Sequence, residues 1–265
     1  MNGSRVLEVA PGWLLFATPW TLHVVAGYLL AVGYMAWVFR RLRIPVAEAV
    51  MLCAVCLAFG AVGTSLFAWA TVGRPSGKVL YGGMLGALLA GGVCWEIWLR
   101  LRLPMRQLFD HGMVAMGLLF GVTRYGCHLE GCCHGLPTPA GWPGVIYPHD
   151  TPGYAPAPSL RGIPLHPAAL YECVGLIGFA LVGMVLLRAR GRPVRPGHVG
   201  WGILGGYAVL RFLVEFVRAD ERGWEALPLS PSQVISLAIL VVGVADLGLG
   251  WTRWPTFGWR KNGAP

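Results

Sequence analysis

Seven apolar runs of membrane-crossing length punctuate the chain, at roughly 20–39, 46–70, 79–99, 108–126, 168–187, 198–217 and 232–251. A helix needs about 20 predominantly apolar residues to cross a bilayer. The pattern predicts an all-α membrane protein, a seven-transmembrane-helix bundle. Polar stretches between the runs are short except at 132–166, where closely spaced Pro and Gly leave little room for a regular helix before Pro167. A long loop is therefore expected between helices 4 and 5. The runs share one bundle, so residues 1–265 are read as a single integral-membrane domain. It comprises a lead-in at 1–19, seven spans within 20–251 and a tail at 252–265.

Composition agrees: 55% of residues are hydrophobic and only 12% charged, against about 25% charged in globular proteins. The net charge of +9 could suggest nucleic acid. Its distribution excludes that reading, because the basic residues cluster in short loops. Arg40, Arg41 and Arg43 follow the first run, Arg100, Arg102 and Arg106 the third, Arg188, Arg190, Arg192 and Arg195 the fifth, and Arg253, Arg260 and Lys261 the seventh. These groups fall on one side, which the positive-inside rule makes cytoplasmic. The N-terminus and the 132–166 loop are then outside, the latter periplasmic, and the C-terminus inside. The first run is too long for a cleaved signal peptide and lacks a basic n-region.

Charged residues within the runs are costly and point to function. Tyr207, Arg211 and Glu215 recur at i, i+4 and i+8 of the sixth run and share one helix face, with Arg218 one turn further. This set reads as an anion site with a carboxylate holding the cation, or as a self-neutralising pair. Gly82 and Gly86 form a GxxxG motif suited to close helix packing. Tyr81 precedes them at outer-rim depth. Cys53 and Cys56 read as small hydrophobes, Glu48 as an inner-rim residue, and His23 as a satisfied rim histidine. Ser230 and Pro231 have the character of an N-cap and first position for the seventh helix. His166 and Glu172, flanking the start of the fifth, are expected near the outer surface.

The densest chemistry is GVTRYGCHLEGCCHG, Gly121 to Gly135. The fourth helix is expected to end here, with Arg124 at its outer rim. Cys127, His128, Glu130, Cys132, Cys133 and His134 then follow on a glycine-rich turn. On the oxidising side of the membrane, Cys127 is expected to pair with Cys132 or Cys133. Zinc is the alternative, but the spacing is not that of a standard finger, and no metal or other cofactor is assigned.

The chain resembles the bacterial prolipoprotein diacylglyceryl transferases from about 78 to 242. The likeness rests on Tyr81-Gly82-Gly83, TRYGC…G at 123–135, HPAALYE at 166–172, YAVLRFLVEF at 207–216 and LSPSQVISL at 229–237. The resemblance implies a seven-span inner-membrane enzyme. It would move diacylglyceryl from phosphatidylglycerol to the lipobox cysteine of a secreted lipoprotein precursor. Arg124, Gly135, His166, Glu172, Tyr207, Arg211 and Glu215 match the family pattern. Cys127 and Glu130 stand where Asn is usual, Cys132 at an acidic position, and Tyr81 where a His precedes the paired glycines. The first-span Tyr has no counterpart near Ala26.

By this resemblance, Arg124 and Arg211 hold the phosphodiester and Glu215 orients Arg211. Tyr207, Gly82, Gly83, Gly135, His166 and Glu172 complete the lipid site. Tyr81, His128 or His134 replaces the usual base. The expected partners are phosphatidylglycerol, the precursor protein and membrane lipids, without nucleic acid. Two readings compete: a lipid-binding protein without catalysis, and a thiol or metal site on the outer face.

Overall fold

The computed structural model describes residues 18–72, 80–99, 102–147, 160, 162–188, 194–219 and 229–249. The expected lead-in, the tail and the centre of the long loop fall largely or wholly outside these residues. Seven long α-helices occur among them: α1 (Pro19–Arg41), α2 (Val46–Val72), α3 (Leu80–Cys94), α4 (Met105–Leu129), α5 (Ala168–Arg188), α6 (His198–Val214) and α7 (Pro231–Leu249). A π-helical turn, Trp95–Leu99, extends α3, and a 3₁₀ turn, Glu215–Val217, extends α6. Six of the helices are long and apolar enough to cross a membrane. The exception is α4, which carries Arg106, Asp110, His111 and Arg124.

The position of α4 explains its polarity. It packs against α1, α5 and α6 at the centre of the bundle, where charged side chains find protein partners instead of lipid. The α2–α3 pair flanks α1, and α7 lies on α6. The packed interior includes Tyr34, Met35, Met113, Leu176, Ile203 and Leu204. Large apolar side chains such as Leu29, Trp69, Leu89, Val185 and Val241 point outward, as a lipid-facing surface requires.

Local chemistry sets the helix ends. Ser230 Oγ accepts from the Gln233 N–H at 3.3 Å, while Gln233 Oε1 accepts from the Ser230 N–H at 3.0 Å. This reciprocal box starts α7 where the sequence indicates. At the opposite face of the bundle, the Arg41 and Arg188 guanidiniums both stack on Trp37, 4.5 and 4.4 Å from the ring centroid. The last turns of α1 and α5 thus share one end, as the charge pattern implies. Glu48 pairs with Arg102 at the same level.

Asp110 supplies the start of α6. Its carboxylate accepts from the Gly197 and Gly200 N–H groups, both at 2.7 Å, and is buried. Gly197, the N-cap, has no side chain to do so. Asp110→Ala should therefore strand two helix-start donors and cost about 1–3 kcal/mol. A lowered thermal midpoint in detergent checks this, with Gly112→Ala, which meets nothing within 4 Å, as the neutral control.

The connection between α4 and α5 is irregular where described, held by isolated bridges. The Gly135 N–H donates to the His166 carbonyl at 2.7 Å, and the Leu136 N–H to that of Val217 at 2.8 Å. The loop therefore fastens the start of α5 to the end of α6.

Candidate active site

The fourth helix does not stop near Gly126, as the sequence suggested, but continues to Leu129. Gly126 serves close approach instead of a turn: a Cβ there would lie 2.9 Å from Trp20 Cα. Cys127 and His128 are consequently helical, and the chain turns at Glu130 and Gly131. Glu130 Oε1 accepts from the Trp20 N–H at 3.0 Å, which ties the block to the start of α1.

Arg124 is buried and points into a polar cluster centred on Glu172, which is wholly inaccessible. Arg124 Nε lies 2.9 Å from Glu172 Oε2. The Tyr207 hydroxyl donates to the same oxygen at 3.1 Å, and Arg218 Nη1 donates to Oε1 at 3.1 Å. Glu172, at the start of α5, is thus buried within the bundle, drawn inward by the cations around it. His166 is half-buried, and its Nδ1 shares a hydrogen bond of 3.1 Å with the Tyr171 hydroxyl.

Arg211 lies in the last turn of α6, which runs from His198 to Val214. It pairs with Glu215, as expected, and donates to Ser232 Oγ at 3.0 Å. Ser232 passes the network on: its carbonyl accepts from Ser236 Oγ at 2.8 Å, and Ser236 meets the Tyr81 hydroxyl at 2.7 Å. The Tyr81 ring packs edge-on against Tyr207, with centroids 5.7 Å apart. Three guanidiniums thus face two carboxylates, Glu172 and Glu215, and the excess positive charge suits an anion.

A cleft of about 950 Å³ opens onto this cluster from between α1, α2, α3 and α4. Arg124, Glu130 and the three cysteines border its polar end. The remainder is largely apolar, with Met35, Leu52, Leu108 and Phe120 among its walls. Arg211 is not among the lining residues.

Cys127, Cys132 and Cys133 are free thiols, so the anticipated pairing of Cys127 with either neighbour is not formed. Their sulfurs lie within 4.8 Å of one another. The Cys132 thiol donates to the Cys127 carbonyl at 3.4 Å, and Arg124 Nη1 approaches Cys133 Sγ at 3.7 Å. Hydrogen bonds from Cys127 and Cys132, with Arg124 and Arg218 beyond them, hold the Cys133 thiol well below its ordinary range. Hydrogen bonding with Cys127 and Cys133, together with burial, pushes Cys132 up.

The imidazoles gather elsewhere. His128 Nδ1 meets the hydroxyl of buried Tyr147 at 3.0 Å, and the His134 ring lies 6.4 Å from that of Tyr147. Neither His lines the cleft. His23 Nδ1 bonds the Pro19 carbonyl at 2.6 Å, a satisfied rim residue as read. Gly82 packs against Gly63 and Phe67 of α2, which bears out close helix packing, while Gly83 borders the cleft. Gly135 is needed for packing too, since a Cβ would lie 2.6 Å from the His166 Cβ.

Sequence reasoning placed Arg218 on the face of Tyr207, Arg211 and Glu215 but passed over Ser232 and Ser236 as site residues. The signal for the serines was present: two hydroxyls at i and i+4 on an otherwise apolar helix face, opposite an intramembrane cation.

The chain matches the family model for prolipoprotein diacylglyceryl transferase over residues 17–248. Its relatives include phosphatidylglycerol–prolipoprotein diacylglyceryl transferase 2 of Clostridium perfringens, 35% identical over 64% of this chain and 60% of the relative. The phosphatidylglycerol–prolipoprotein diacylglyceryl transferase of Xanthomonas oryzae is 34% identical over 65% of this chain and 61% of its own. That of Geobacter sulfurreducens is 33% identical over 63% and 59%. The chain thus spans about 60% of the length of the curated relatives it matches. The match takes in every helix of the bundle that carries the buried arginine–glutamate cluster, and the chain therefore belongs to the prolipoprotein diacylglyceryl transferase family.

Proposed function

We propose that this protein transfers diacylglyceryl from phosphatidylglycerol to the lipobox cysteine thiol of secreted lipoprotein precursors. The observation that carries the reading is the cleft, whose apolar walls suit acyl chains and whose polar end holds Arg124. In this reaction the acceptor sulfur forms a bond to the glyceryl carbon, the carbon–oxygen bond to phosphate breaks, and glycerol phosphate leaves. Charge develops on the departing phosphate, and a fixed guanidinium in a dry site stabilises it. Arg124 takes that role. Glu172 aims Arg124 through its 2.9 Å contact, and Tyr207 holds Glu172. Arg211, kept in place by Glu215 and Ser232, adds positive potential from behind. Tyr81 braces Tyr207.

The setting is the bacterial inner membrane, with all seven long helices crossing it. α4 crosses at the centre, shielded from lipid by its neighbours. The basic loops lie in the cytoplasm, and the α4–α5 loop is periplasmic. A reporter fused within 140–147 should be active only outside; cytoplasmic reporter activity there would reverse the topology. Complementation of a transferase-depleted bacterium tests the function. Restored growth with lipidated precursors is expected. Failure despite stable membrane insertion, with phosphatidylglycerol still bound by the purified protein, would leave a lipid-binding protein instead.

A further inference from the structure

The thiols at the polar end of the cleft have no part in the reaction as described so far. Three sulfurs within 4.8 Å of one another are close to what one thiophilic ion needs. Zinc–sulfur bonds of about 2.3 Å in a tetrahedron set sulfurs roughly 3.8 Å apart, a distance that small side-chain rotations reach. The backbone is arranged for this convergence. Cys127 occupies the last turn of α4, and the Cys132 N–H donates to its carbonyl at 3.2 Å. Cys133 has φ 59°, a left-handed conformation that a residue with a β-carbon adopts only against a steric penalty.

We propose that Cys127, Cys132 and Cys133 bind a divalent thiophilic cation, zinc by ligand chemistry, with a fourth position open to the cleft and to the acceptor thiol. Among the described residues, no further His, Cys, Asp or Glu joins the group. Three protein ligands with an open fourth position are the arrangement of zinc sites that act on substrates, whereas structural sites are closed. All three cysteines line the cleft, so the open position faces the lipid. Three thiolates on a divalent ion leave one excess negative charge, and Arg124, 3.7 Å from Cys133 Sγ, lies beside it.

The identity of the acceptor rests on the transferase reading, and there the site supplies what the cleft lacks. A metal-coordinated thiol is deprotonated outright. The acceptor S–H would give its proton to solvent on binding. Its sulfur pair would then attack the glyceryl carbon, and the carbon–oxygen electrons would leave with glycerol phosphate. Neither His128 nor His134 lines the cleft, and Tyr81 is engaged with Ser236, so this route needs no imidazole base.

Full-length protein purified in detergent, without chelator or added metal, should carry stoichiometric zinc by elemental analysis. Cobalt exchange should give near-ultraviolet sulfur-to-cobalt bands. Cys127→Ser, Cys132→Ser and Cys133→Ser should each reduce bound metal to background. Cys94→Ala, a buried thiol outside the group, should leave it unchanged and serves as the folding control. A peptide bearing a lipobox cysteine should alter the cobalt spectrum, and its Cys→Ser analogue should not. Metal-free protein with all three thiols alkylatable, or with a Cys127–Cys132 or Cys127–Cys133 disulfide, overturns the site. Metal binding without a spectral response to the peptide overturns its open position. A spectral response without diacylglyceryl transfer would support the site and sink the transferase reading alone.

Discussion

Glu172→Gln is expected to be the most damaging single substitution in the bundle. Its carboxylate is the shared counter-ion of Arg124 and Arg218, and no part of it reaches solvent. The amide can still accept hydrogen bonds, but two buried guanidiniums would lose their charge partner. Removing one member of a buried ion pair costs about 3–5 kcal/mol. The variant should lose much of its thermal stability in detergent and reach the membrane in reduced amount. Glu215→Gln provides the comparison. It is also a buried-pair change, but Arg211 keeps its bond to Ser232, so the loss should be smaller. Equal thermal midpoints for wild type and Glu172→Gln would show that the cluster is not organised around this carboxylate.

Arg124→Lys should preserve the fold and abolish most phosphatidylglycerol binding. Lysine keeps the charge, but not the planar fork that lets Arg124 meet Glu172 through Nε while Nη1 faces the cleft near Cys133. A charged hydrogen bond is worth about 1.5–3 kcal/mol, so affinity should fall by roughly 10- to 150-fold. Arg211→Lys separates contact from potential. Arg211 does not line the cleft, so this change should weaken lipid binding less than Arg124→Lys does. Lipid-binding isotherms on the purified variants decide the order. The reverse order would put the phosphate at Arg211 and move the site toward α7.

Much of the bundle was legible in the apolar runs, since apolar length and loop charge are local signals. The reciprocal cap at Ser230 and the Arg211–Glu215 pair were legible for the same reason: both are set within one helical turn or two. The role of Glu172 was not. Its partners lie on α4, on α6 and just past the end of α6, and a helix start with one acid reads the same whether it faces water or three cations. The end of α4 was misplaced because a glycine between a basic residue and a cysteine resembles a turn. Only the closeness of α1 shows that Gly126 is there for packing. The thiol cluster was visible as composition. Its convergence depends on Cys127 being helical and Cys133 left-handed, which spacing alone does not convey.

The central claim is that the cleft delivers a diacylglyceryl phosphate to a thiol beside Arg124. The direct test incubates purified protein with phosphatidylglycerol and a lipobox cysteine peptide, and follows the peptide by mass spectrometry. The account predicts a peptide carrying diacylglyceryl on sulfur, equimolar release of glycerol phosphate, and loss of both with Arg124→Lys. An unmodified peptide alongside intact phosphatidylglycerol binding, or equal product from wild type and Arg124→Lys, would contradict it.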